Sequence, residues 1–154
     1  MKDLRTRAIS RYNNTIGQEC YKLYKSAFSW ISKSIESGFY IEAISITESL
    51  FSDRLESYLS SITNINYGFK TLGKLIKGIE LHESDEVLRD LVINDLDNWR
   101  KARNKTAHEM VKIEDGKQVT WEERVEINKE VAEQGLQLVR KIDKRIRQLR
   151  TQST

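Results

Sequence analysis

The sequence has little that would interrupt a helix. It contains no proline and only seven glycines in 154 residues, and these are the residues that most disfavour helix interiors. Its single cysteine, Cys20, excludes an intrachain disulfide and fits a reducing compartment. The amino-terminal residues lack an apolar signal region, and no apolar run approaches the roughly 20 residues of a membrane span. We therefore expect a cytoplasmic protein with no membrane partner.

Histidine is also scarce, which limits metal and nucleophile chemistry. The chain has only His82 and His108. Neither Cys20 nor His82 has sequence neighbours spaced as in a metal site or a nucleophilic pair. The Gly-Lys within residues 72–78 lacks the glycine spacing of a phosphate-binding loop. We expect no metal and no cofactor, with Cys20 in the core and His82 in a solvated connection.

Apolar residues recur at steps of three and four, which predicts helices and no strands. The predicted helices span about residues 17–37, 40–63, 69–80, 85–112 and 121–149. Gly38 indicates a helix end, Thr120 and Glu123 fit a capping box, and the three tryptophans are predicted to pack at helix faces. The sequence thus predicts one all-α domain over residues 17–150, an antiparallel bundle of four long helices and one short helix. A polar arm or short helix over residues 1–16 precedes it.

Charge is unevenly distributed along the chain, although the net charge is only +3. Residues 80–98 hold seven acids and one arginine, whereas residues 100–105 hold four basic residues and no acid. Residues 140–150 carry six basic residues against Asp143 alone. Basic patches attract phosphates. A charge run is more often a solvated helix face, so these patches alone do not identify a nucleic-acid partner.

One polar stretch, "NWRKARNKTAHEM" at residues 98–110, combines residue types that suit a phosphate ester. Asn104 and His108 lie four apart and share an outward helix face, while Arg103 falls at the edge of the apolar stripe, about 140° from His108 on an ideal helix. Arginine offers a fork of donors to phosphate oxygens, and histidine transfers protons near neutral pH. On spacing alone, a solvated helix face is the stronger interpretation.

RNA supplies its own nucleophile, the 2′-hydroxyl, so such residues could cleave it without a metal. One histidine in each chain is few for two proton transfers. A two-fold dimer would bring two copies of the set to one groove, because a symmetric contact repeats each residue on both sides.

The same stretch resembles the signature of the HEPN superfamily, the helical domains of many prokaryotic toxin and phage-defence ribonucleases. That signature is Arg, four to six residues, then His, often with Asn directly after the Arg; Arg103, Asn104 and His108 match it with a four-residue gap. The segment "YIEAISITESLFSDRLESYL", residues 40–59, resembles an earlier helix of the family. The resemblance covers most of residues 20–149, although only the short motif is specific.

The resemblance implies a metal-independent endoribonuclease. The 2′-hydroxyl would attack the phosphate and leave a cyclic phosphate and a 5′-hydroxyl, in a homodimer whose paired motifs line one cleft. His108 would be the acid and base, Arg103 would hold the phosphate, and Asn104 would orient the phosphate or His108. Lys105 and Arg100 would guide the RNA backbone.

A partly buried Arg103 needs an acidic partner, and Glu48 or Asp53 of the second predicted helix would position it. Met110 departs from the family, since toxins controlled by a nucleotidyltransferase antitoxin carry a Tyr two residues after the His. Met110 therefore argues against that pairing and that mode of control, and the expected antitoxin or regulatory protein stays of unspecified type. The alternative function is a non-catalytic helical dimer or interaction module that binds RNA or a partner protein.

Overall fold

The computed structural model describes residues 14–152, with side chains from residue 18 onward. It contains five helices: α1 (Asn14–Glu36), α2 (Tyr40–Thr63), α3 (Leu72–His82), α4 and α5 (Trp121–Gln152). Helix α4 is continuous but has three segments, Glu86–Asp90, a π-helical segment Leu91–Leu96, and Asp97–His108. Residues 14–152 include no strand, which confirms the all-α prediction for the described part. Of the predicted polar arm, residues 1–13 lie outside the described residues, and residues 14–16 belong to α1.

Local sequence signals explain most helix ends. Gly38 has a φ of 82° and ends α1, while Asn64, with a φ of 58°, ends α2. Thr120 and Glu123 form the predicted capping box: the Glu123 amide donates to Thr120 Oγ1 at 3.1 Å, and the Thr120 amide donates to Glu123 Oε2 at 2.9 Å. These reciprocal bonds set the start of α5.

Two predicted boundaries are wrong. Helix α3 begins at Leu72 rather than about residue 69, because Phe69 has a φ of 61° and Thr71 caps the helix. Helix α4 ends at His108 rather than about residue 112. The carbonyl of Lys112 instead accepts a hydrogen bond from Arg124, so this part of the chain is held as an irregular connection.

Helix α2 lies at the centre of the packing and contacts α1, α3 and α5 along its length. Tyr24 of α1 donates to Asp53 of α2, and Trp30 of α1 donates to Glu42 of α2. Helix α1 therefore runs antiparallel to α2. Helix α5 runs parallel to α2, because Arg54 pairs with Asp143 and, further along both helices, Arg150 donates to Ser57. The core therefore joins helices that are far apart in sequence.

The largest fully buried side chains come from α1, α2, α3, α4 and α5, so one core serves all five helices: Ile31, Phe51, Leu55, Leu59, Leu75, Ile79, Leu88, Leu96, Ile142 and Ile146. Trp99 belongs to this core, as predicted. Trp30 and Trp121 do not, since they are 54% and 58% exposed, and Cys20 is half-buried rather than in the core. The predictions for these three residues were wrong because periodicity shows which face of a helix is apolar but not how far the neighbouring helices extend along it.

Candidate functional site

The motif-bearing helix α4 is fixed at its start by two carboxylates. The Asp85 side chain accepts from the Leu88 amide at 2.9 Å and caps the helix. The same carboxylate receives two bonds from Arg145 of α5, at 2.5 and 2.9 Å, and these hydrogen bonds lower the pKa of Asp85. Tyr58 of α2 donates to Glu83 in the preceding turn. The first turn of α4 is thereby attached to both α2 and α5.

The middle of α4 is fixed by Trp99. Its indole Nε1 donates to the Val131 carbonyl of α5 at 2.9 Å, and its ring lies 5.1 Å from the ring of Phe51. Gly135 allows this approach, because a Cβ there would lie 2.7 Å from Trp99 Nε1. The π-helical segment ends three residues earlier, at Leu96, and such wide turns change the rotational phase of the helix that follows.

The end of α4 is held by Arg124 of α5. Its guanidinium donates to the Glu109 carbonyl, to the Lys112 carbonyl at 2.7 Å and, more weakly, to the Val119 carbonyl at 3.4 Å. A cation at this position satisfies carbonyls that the helix end leaves without partners and complements the helix dipole. Arg124 therefore fixes both the end of α4 and the connection to α5.

Arg103 leaves α4 towards α2 and pairs with Glu48. The Arg103 side chain is 17% exposed and the Glu48 side chain 30% exposed, so the pair lies at the edge of the core. The Arg103 Nε is buried and has no hydrogen-bond partner among the described residues. The guanidinium is thus oriented by one carboxylate. An anion would have to approach its terminal N–H groups, because the Nε is buried.

The other two residues of the predicted set lie on a different face. Asn104 is half-buried and His108 is exposed at the last position of α4. Neither side chain forms a hydrogen bond or ion pair with another described residue. Arg103 bonds to Glu48 of α2, and no hydrogen bond or ion pair among the described residues joins it to His108. The His108 imidazole and the Asn104 amide are therefore available to an external partner.

The supporting residues have separate partners. Asp53 accepts a bond from Tyr24 at 2.5 Å, whereas Glu48 is the acid beside Arg103. Arg100 bonds to Asp97 at 2.9 and 3.0 Å and is half-buried, which leaves it less available to RNA than predicted. Lys105 is exposed and lies 3.7 Å from Glu114. Of the two predicted RNA-guiding cations, Lys105 is the one at the surface.

Sequence reasoning did not single out Arg124 or Asn128. Asn128 is 2% exposed and its Oδ1 has no hydrogen-bond partner among the described residues. A signal for it existed, since Asn128 lies three residues before Val131 on the apolar stripe of α5. Nothing in the sequence marks Arg124, because its partners are backbone carbonyls of an irregular segment.

Residues 14–152 hold no group of three His, Cys, Asp or Glu side chains arranged for a metal ion. None of the helices in this part of the chain has the length and apolar character needed to cross a bilayer. No protein-family model, curated protein or solved structure matches the chain.

Proposed function

We propose that this chain is a metal-independent endoribonuclease of the HEPN type, cytoplasmic, and a toxin or phage-defence effector. The proposal includes the HEPN-like bundle, a homodimer and cleavage at a composite site between the two subunits. One observation carries it: Glu48 orients a half-buried Arg103, and the same helix, anchored at its start, middle and end, finishes in an exposed, unpaired His108. Such fixed placement is what a site that binds a charged transition state requires.

The reaction needs two proton transfers. One imidazole accepts the proton of the 2′-hydroxyl while its oxygen attacks phosphorus, and the bond from phosphorus to the 5′-oxygen breaks. A second, protonated imidazole gives its proton to the departing 5′-oxygen. The products are a 2′,3′-cyclic phosphate and a 5′-hydroxyl. Arg103 would stabilise the negative phosphate oxygens through its guanidinium N–H groups.

A second subunit supplies what one chain lacks. The chain has two histidines, and His108 is the one on the helix of Arg103, so a single chain offers this site one proton carrier. Two-fold pairing around the end of α4 would bring two His108 side chains and two Arg103 side chains to one groove. Val111 and Ile113, directly after α4, are 85% and 88% exposed, and apolar residues this exposed suit a subunit contact.

The test is cleavage of a fluorescently labelled single-stranded RNA in EDTA. We expect His108→Ala to lower the rate by at least about 100-fold, the usual range for loss of a general acid or base. His82→Ala is the matched control, because His82 is the other histidine of the chain and is exposed at the end of α3. Its rate should equal that of the wild type. Circular dichroism and light scattering should show an unchanged fold and dimer for both.

The alternative function is a non-catalytic helical dimer that binds RNA or a partner protein. One observation favours it, since Glu48 already compensates the charge of Arg103 as in a purely structural ion pair. This alternative predicts RNA binding with no cleavage at any pH between about 6 and 9, a range that includes the neutral pH at which histidine side chains commonly transfer protons. Equal rates for wild type and His108→Ala would also favour it over the ribonuclease.

A further inference from the structure

A pocket of about 280 Å³ lies beside the end of α4. Three segments form it: the α4 face that carries Ala102 and Thr106, the connection with Met110 and Val119, and the start of α5. His108 does not line it; the pocket occupies the neighbouring face of the helix. A volume just below the usual range for drug-sized ligands suits one flat group rather than a whole oligonucleotide.

The inner wall of the pocket carries an unused acceptor. Asn128 is 2% exposed and lines the pocket, and its Nδ2 donates to Met110 Sδ at 3.0 Å. Its Oδ1 has no hydrogen-bond partner among the described residues. An unsatisfied buried oxygen costs on the order of 1–3 kcal/mol. A shift of the adjoining Met110 side chain would open this oxygen to a ligand N–H group in the pocket, and the new hydrogen bond would remove that cost. The remaining proton of Nδ2 offers a donor next to that acceptor.

The rim of the pocket already holds an anion. The carboxylate of Glu114 lies 3.7 Å from Lys105 Nζ and 3.3 Å from Lys117 Nζ. Lys117, and then Lys105, lower the pKa of the Glu114 carboxyl. Because all three side chains are exposed, a phosphate could replace this carboxylate between the two ammonium groups at little cost.

We propose that this pocket binds the adenine base of one nucleotide, with its phosphate between Lys105 and Lys117. Adenine presents an N6 amine donor beside the N7 acceptor, and an Asn amide matches this pair with two hydrogen bonds. The apolar side chains of Met110 and Val119 would contact the faces of the ring. The further statement that this adenosine belongs to the RNA being cut rests on the proposed function. The pocket would then select the position of cleavage.

Arg124 holds the connecting segment that forms part of the pocket. It donates to three backbone carbonyls between the end of α4 and the start of α5, so this part of the wall is formed before any ligand arrives. A preformed wall reduces the entropy that binding must overcome.

The experiment is a titration of the full chain with AMP, GMP, CMP, UMP and inorganic phosphate, followed by amide NMR shifts. The wild-type chain is used, because a mononucleotide contains no phosphodiester bond between two nucleotides that could be cleaved. We expect AMP to bind most tightly, with shifts concentrated in residues 102–128. Phosphate alone should bind at least about tenfold more weakly. Equal binding of all five compounds, tighter binding of another nucleotide, or no shifts at the pocket would each overturn the proposal.

Two variants test the assigned contacts. Asn128→Leu should weaken AMP binding about tenfold, the value of one to two lost hydrogen bonds. Because residue 128 is buried, Lys117→Glu at the exposed rim provides an independent test and should also weaken AMP binding. Lys141→Glu is its matched control, an exposed lysine of α5 outside the pocket, and should bind AMP as the wild type does. Equal weakening by Lys117→Glu and Lys141→Glu would contradict the phosphate position.

The two proposals fail separately. AMP binding at the pocket without RNA cleavage by the wild type would support the proposed adenine site and contradict the proposed ribonuclease activity. The opposite result is RNA cleavage by the wild type, the same cutting pattern in Lys117→Glu, and no AMP binding. It would contradict the proposed adenine site and support the proposed ribonuclease activity.

Discussion

Two arginine–carboxylate pairs connect α2 to its neighbours, and they lie in different surroundings. Arg54 pairs with Asp143 of α5, and each side chain is 10% exposed. Arg103 pairs with Glu48 at the edge of the core, beside the exposed end of α4. Both arginines have a buried Nε without a hydrogen-bond partner among the described residues. The two ion pairs therefore have the same chemistry but differ in how far solvent reaches them.

The Arg54 pair is largely closed to solvent. The ring of Tyr24 covers its guanidinium at 4.5 Å from the ring centroid, and Arg147 lies 3.0 Å from the other oxygen of Asp143. Arg54 is therefore less accessible to an anion than Arg103, whose side chain is 17% exposed. Arg103, by contrast, precedes Asn104 and His108, whose side chains have no described partner. The first pair is buried within the core, whereas the second lies at its edge, on the helix that carries the proposed catalytic residues.

The largest expected effect is on stability, from breaking the Arg54 pair. Arg54→Met leaves the Asp143 carboxylate buried with Arg147 as its remaining partner, so we expect a loss of about 3 kcal/mol in the free energy of unfolding. Arg103→Met should cost at most about 1 kcal/mol, because Glu48 is partly exposed and can be hydrated. Urea unfolding measures both values.

The control for this pair is Arg54→Met combined with Asp143→Leu. Removing both charges from the core should recover most of the lost stability, since no buried charge remains unpaired. A double variant as unstable as Arg54→Met would show that packing of the Arg54 stem, rather than its charge, is what stabilises the protein. Comparable losses for Arg54→Met and Arg103→Met would remove the difference between the two pairs.

The next effect comes from the close approach of α4 and α5. Gly135→Ala places a Cβ 2.7 Å from Trp99 Nε1, so we expect a loss of about 1–3 kcal/mol from overpacking. Gly73→Ala is the matched control. Its Cβ would meet Arg100 at an ordinary 3.8 Å, and alanine in a helix should raise stability by up to about 1 kcal/mol. Thermal unfolding of both variants checks the difference, and a harmless Gly135→Ala would contradict the assigned packing.

A smaller effect is expected on catalysis from Glu48. Glu48→Gln keeps the size of the side chain but loosens the orientation of Arg103, so kcat should fall about tenfold with little change in KM. Asp53→Asn, on the same helix but bonded to Tyr24, should leave kcat unchanged. If both variants reduce kcat equally while unfolding normally, Glu48 has no special role in positioning Arg103.

The smallest effect concerns pH and the start of α4. The folded pKa of Asp85 lies below its ordinary value of about 3.8 because Arg145 binds its carboxylate. The resulting stability is present above about pH 4 and is lost as the pH falls through the folded pKa. The stability difference between wild type and Asp85→Asn should therefore narrow below about pH 4 in urea unfolding. A difference independent of pH would mean that the carboxylate charge is unimportant.

The sequence predicted the all-α class and most helix ends because caps and apolar periodicity are local signals. It did not predict the π-helical segment Leu91–Leu96, which contributes Val92 and Leu96 to the core and precedes Trp99, since phase changes of this kind depend on packing against other helices. It also left open whether Glu48 or Asp53 faces Arg103. That choice depends on which helix lies on each side of α2, and periodicity does not contain this information.

The same limit applies to the candidate site. Arg103, Asn104 and His108 were recognisable from their order along the chain, and their catalytic roles stay a prediction. Arg103 is drawn to α2 because it pairs with Glu48, whereas His108 is exposed to solvent at the end of α4. The pocket beside them depends on Arg124 and its carbonyl partners, which leave no pattern of residue types.

The parallel contact of α2 and α5 has a consequence for synthesis of the protein on the ribosome. Arg150 and Ser57, which meet across this contact, are separated by 93 residues. The buried side of α2 therefore has no permanent cover until residues around 143–150 have been translated. A nascent chain would lack the helix that covers this side of α2, so any toxic activity would begin only after synthesis has passed this point. A chaperone that recognises uncovered apolar helices would have time to bind first.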